Sequence, residues 1–87
     1  MIIYLHKHFE KQFAKRPQNV RERFKERRDI FISNSRHPLL NDHVLQGAFE
    51  GYRSINVTGD FRAVYKYIAA DAVEFVDIDT QHNLFGT

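Results

Sequence analysis

From Phe9 to Phe31 the apolar residues return every three or four positions, and from Tyr52 to Asp79 they alternate in twos. That switch of period constrains the fold most. Side chains three and four apart share a helix face, whereas alternate side chains share a sheet face. Between Phe9 and Asp79 the chain must therefore run helices first and strands after, with the two apolar surfaces laid on each other. Its 87 residues allow one domain, 1–87, around one core.

Ile2 to His6, β-branched and aromatic, reads as a first strand. Phe9 and Phe13 pair at i,i+4 on a short helix that stops before Pro17, and Pro17 opens a second helix. There Val20, Phe24, Arg27 and Phe31, joined by Ile30, form one face, with Arg21, Glu22, Lys25, Glu26 and Asp29 opposite. Turn residues at Ser33–Pro38 end it. Leu39 to Gly51 reads as a long ordered loop with one short strand at Val44–Leu45, and loops of this length are often functional. Tyr52–Thr58, Phe61–Ala69 and Val73–Asp79 read as strands, joined by a tight hairpin at Gly59-Asp60 and a turn at Ala70-Asp71. The predicted order is β-α-α-β-β-β: an α+β fold with two N-terminal helices packed on one face of a small antiparallel sheet. The other face of such a sheet can stand open to solvent and carry polar residues.

The formal charge of +2 conceals an asymmetry. Residues 1–28 hold nine Lys or Arg against three acids, while residues 29–87 hold four against eight. A polyanion-binding surface would draw on the N-terminal helices, with Arg21, Arg23, Lys25, Arg27 and Arg28 as its candidates and Arg27, on the apolar stripe, the least free. A basic helix that is merely solvated is the plain alternative. Zero cysteines exclude a disulfide scaffold and any thiolate metal site. No apolar run approaches the roughly 20 residues of a membrane span, and the N-terminus lacks the pattern of a signal peptide. A cytoplasmic protein without membrane contact is the expectation.

No G-x-x-x-x-G-K, G-x-G-x-x-G or G-x-S-x-G is present, and the five histidines lack the helical i,i+4 spacing of a zincin. Neither a cofactor nor a metal site is expected. What remains is a set of polar residues in the second half: His43, Arg53, Asn56, Asp60, Arg62, Lys66 and His82. Pairing across the hairpin would bring residues near Asn56 and Arg62 together. Each also has a plain reading, Asp60 as a turn residue and the others as solvated surface.

The block from Asp42-His43 through Leu45, Gly47 and Gly51-Tyr52-Arg53, then Asn56, Gly59-Asp60-Phe61-Arg62 and Val64-Tyr65-Lys66, and the ending His82-Asn83-Leu84-Phe85-Gly86, resembles the RelE/ParE superfamily of bacterial toxins. The likeness runs to its YafQ-type branch, whose members cleave messenger RNA on the ribosome. The resemblance implies the toxin component of a type II toxin–antitoxin system. It would be a metal-independent endoribonuclease that drives the ribose 2′-oxygen onto the adjacent phosphate. It further implies His82 as leading general acid/base, His43 with Asp60 as a second acid/base or orienting pair, and Arg62 as the cation at the phosphate. Phe85 would stack a base, with Arg53, Asn56 and Lys66 binding substrate. The implied partners are a cognate antitoxin, the ribosome through its RNA, and messenger RNA. The YafQ-like pattern has a further histidine where this chain has Asn56, which cannot shuttle a proton at neutral pH. A ParE-like gyrase-binding toxin and a catalytically inactive, partner-binding homologue are the alternatives.

Overall fold

The computed structural model describes residues 1–86. The chain runs β1 (Ile2–Leu5), α1 (Lys7–Ala14), α2 (Gln18–Ser33), β2 (His43–Val44), β3 (Arg53–Asn56), β4 (Phe61–Ala69), β5 (Ala72–Thr80) and α3 (Gln81–Phe85). The five strands lie in the order β1-β5-β4-β3-β2. Between β1 and α3 the two long helices precede the strands β2–β5, and the period switch foretold this layering on one core.

Local chemistry explains the element ends. The His6 side chain caps α1 through its Nδ1, which accepts from His8 N–H at 3.0 Å. Pro17 stands at the N-cap of α2, where its missing N–H costs nothing. One face of the helical layer supplies Phe9, Val20, Phe24 and Phe31 to the core, against Ile55, Ala63, Tyr65, Val73, Phe75 and Ile78 of the sheet. The centre is aromatic: Phe9–Phe24, Phe31–Tyr65 and Phe24–Phe75 have ring centroids 5.0, 5.0 and 5.3 Å apart. Tilted and edge-on pairs of this kind add about 0.5–1.5 kcal/mol each beyond burial. Arg27 keeps its place on the apolar stripe, and its Nε is buried without a hydrogen-bond partner among the described residues.

The structure departs from the expected strands in four respects. The sheet is mixed, because β1 runs parallel to β5, Ile3 lying opposite Val73, while every other neighbour is antiparallel. Alternating hydrophobicity encodes which face a residue takes but not the direction of a strand that no hairpin joins to its neighbour. The short loop strand is His43–Val44 rather than Val44–Leu45, and Leu45 is buried instead. Strand β3 stops at Asn56; the turn is wider than a two-residue hairpin, with Val57 and Thr58 N–H both donating to Phe61 C=O. Finally, the C-terminal segment, assigned no element from the sequence, forms α3. Thr80 Oγ1 caps it by accepting from Asn83 N–H at 3.1 Å, and Gly86 ends it at φ 72°.

Candidate active site

Register decides which polar residues meet. His43 lies opposite Ser54, Ser54 opposite Val64, and Asn56 opposite Arg62. Residues directly opposed across an antiparallel pair point to the same side. His43, Ser54, Asn56 and Arg62 thus share the sheet face turned away from the helices.

Arg62 is the anchor of this face, only 3% exposed. Its Nε donates to Ser54 Oγ at 2.8 Å, and its Nη2 donates to Asn41 C=O at 2.7 Å and Ser54 C=O at 3.0 Å. Nη1 has no partner among the described residues, so one end of the guanidinium remains for an incoming anion. Burial pulls its pKa down, with Asp42 acting the other way. From an ordinary value this high, the group stays charged.

His43 is exposed, with Nδ1 3.1 Å from Asn41 C=O and 3.4 Å from Arg62 Nη2. The shorter contact, to a carbonyl, favours a proton on Nδ1 and leaves the Nε2 lone pair for acid–base work. Asn41 supplies carbonyl contacts to both side chains from a left-handed backbone at φ 43°, a conformation asparagine tolerates better than most residues.

What holds Asn41 there is Asp42, whose side chain is 8% exposed. One carboxylate oxygen accepts from Arg53 Nε at 3.2 Å, and the other accepts the hydroxyl of the fully buried Tyr65. Burial opposes the Arg53 charge, but the charge and hydrogen bond of Asp42, with Tyr65, lift its pKa above the ordinary value. Arg53 therefore braces the His43 loop through Asp42, sharing the Tyr65 side of the sheet. Asn41, Asp42, Ser54 and Tyr65 were not among the sequence candidates, although Asp42 and Tyr65 stand in the block that carries the resemblance.

Tyr65→Phe removes the hydroxyl and costs about 1–3 kcal/mol by leaving Asp42 short of a donor. Burial first, then the hydrogen bond and charge of Asp42, push the Tyr65 pKa far above its ordinary value. The folded chain keeps a proton that the unfolded chain releases near pH 10, so this stabilisation is complete below about pH 10 and falls as pH rises further. Urea unfolding at pH 8 and pH 11 should show a lower midpoint for the variant at pH 8 and a smaller loss between the two.

Of the remaining candidates, Asp60 and His82 form a second group. Asp60, in the β3–β4 turn, lines an open depression with Thr80, Gln81 and His82. Asp60 C=O accepts from Gln81 N–H at 2.8 Å, tying the turn to the start of α3. The structure thus groups Asp60 with His82, and His43 with Arg62. Phe85, on the same short helix as His82, lies edge-on to Phe49 at 6.0 Å. Lys66 stands further along β4, with Nζ 5.5 Å from the Tyr52 ring. The basic helices are less free than their charge suggests. Arg16 engages Asp79, Arg21 donates to Arg16 C=O, Arg23 pairs with Glu26 and Arg28 with Asp29. On and beside these two helices, the exposed cations without such partners among the described residues are Lys7, Lys11, Lys15 and Lys25, with Arg36 following α2.

No protein-family model matches the chain, and no curated protein sequence does. Solved structures do. YafQ from E. coli superposes with a TM-score of 0.79 at 26% identity, over 97% of both chains. The E. coli DinJ-YafQ complex gives 0.75 at 24% identity, over 97% of both chains. The archaeal RelE-RelB complex from Pyrococcus horikoshii gives 0.72 at 21% identity, over 92% of this chain and 93% of that one.

Proposed function

We propose that this chain, which has the RelE/ParE-like toxin fold with its likeness extending to YafQ, is a toxin that cuts messenger RNA on the ribosome and is held in check by a cognate antitoxin. The observation that carries the reading is the meeting of Asp60 and His82 in one open depression, beside a sheet face that presents His43 against a buried arginine. The partner follows by likeness, since similar toxins are solved with DinJ and with RelB. Cytoplasm is where such a protein would work.

In this reading the nucleophile is the substrate's own 2′-oxygen, already next to the phosphate it attacks. His82 is the leading acid/base, and Asp60 lines the same depression as a carboxylate group facing the substrate. His43, with Nδ1 turned to the Asn41 carbonyl, offers Nε2 for the second proton transfer. Arg62 presents a positive charge already fixed by its hydrogen bonds, so stabilising the phosphorane demands little rearrangement. Asn56 hydrogen-bonds the substrate without moving a proton, and Phe85 stacks a base.

Lys7, Lys11, Lys15 and Lys25 are the groups for ribosomal RNA phosphates. Mapping messenger ends on ribosomes after induced expression should reveal breaks at a fixed position within codons. Reversing Lys7, Lys11 and Lys25 to Glu should weaken ribosome binding. The slope of log affinity against log salt should flatten by about one for each phosphate no longer neutralised. Intact messages with inhibited gyrase would support the ParE-like alternative. Intact messages and no gyrase effect would support the inactive one.

A further inference from the structure

A second concavity opens on the same sheet face, lined by Phe49, Tyr52, Lys66, Glu74 and Asp77 together with His6 and His8. Of these only Lys66 figures in the site above.

Three observations decide what it takes. Aromatic rings lead to it from the catalytic end: Phe85 lies edge-on to Phe49, Phe49 edge-on to Tyr52 at 6.2 Å, and Lys66 caps the Tyr52 ring. Glu74 is the acid left available. Glu74 stands directly across from Lys66 in the β4–β5 register, yet no ion pair joins them among the described residues. Asp77 Oδ1 accepts from Ile78 N–H at 2.8 Å and lies 3.5 Å from His8 Nε2. The free Glu74 carboxylate accepts hydrogen bonds from N–H donors on a base edge. Aromatic faces beside such an acceptor suit an unstacked base of a single strand. We infer that this pocket takes one nucleobase of the RNA, bearing an exocyclic amino group, stacked at Tyr52 and read by Glu74.

The inference rests on the RNA-cutting reading of the neighbouring site, so its test avoids cutting. Uncleavable 2′-O-methyl hexamers of adenosine or uridine are titrated into the ¹⁵N-labelled full chain. The adenosine hexamer should shift the amides of Tyr52, Lys66 and Glu74 saturably and bind about tenfold more tightly than the uridine one, which has no amino group to offer. Tyr52→Leu should weaken adenosine binding about tenfold. Glu74→Gln, a milder change that preserves the packing, should erase the preference for adenosine. Shifts confined to other surfaces, or variants that bind both hexamers as the parent does, would overturn the inference. So would pocket variants that lose affinity for the antitoxin alone, because the occupant would then be a basic protein side chain. Cutting is followed separately on ribosome-bound message, so an uncut message with adenosine still seated would retire the cleavage reading and leave the pocket standing.

Discussion

His82→Ala should lower cleavage of ribosome-bound messenger RNA by about 10²–10⁴-fold and restore growth to cells expressing the chain, the range over which a positioned acid/base usually contributes. The fold should survive the change. The imidazole is exposed on a five-residue helix whose ends are held by Thr80 and Gly86 rather than by this ring. Thermal unfolding of the purified variant, within a few degrees of the parent, establishes that survival. A folded variant that cuts as well as the parent would take His82 out of the mechanism and pass the leading role to His43.

A single 2′-deoxy nucleotide at the cut site should block the reaction there completely, because it removes the nucleophile and leaves the protein itself unaltered. The loss should exceed that of any one side chain, since a well-placed intramolecular nucleophile is worth effective molarities of about 10⁵–10⁸ M. The ordinary message should be cut to leave a 2′,3′-cyclic phosphate or its hydrolysis product. Cutting should also continue in excess EDTA, in a preparation whose ribosomes are shown to stay intact. A 3′-hydroxyl end, or cutting of the deoxy-substituted message, would dismiss 2′-oxygen attack even with the toxin fold unchanged.

Several parts of this protein were legible in its residues. The change of period at the middle of the chain set helices against sheet, and Phe9, Phe24, Phe31, Tyr65 and Phe75 form the core that this layering requires. Hairpin pairing brought Asn56 and Arg62 together as expected, while the wider turn set the register that places them directly opposite. The direction of β1 was not legible, since its partner β5 is distant in sequence and hydrophobic alternation is the same for either direction. Nor was the burial of Arg62. An arginine on the face away from the helices reads as solvated until the loop at Asn41 closes over it and three hydrogen-bond acceptors replace its water.

The division follows from range. What neighbours along the chain decide, namely the identity of the two long helices and of the main strands and the faces each presents, was determined by the sequence itself through local sterics and periodicity. What residues far apart decide needed the tertiary structure: Asp42 between Arg53 and Tyr65, His43 against Arg62, Asp60 with His82. Those pairs stand 11 to 23 positions apart, and a spacing of that kind carries no period. Such pairs meet only because core packing and strand register have already fixed the backbone that carries them.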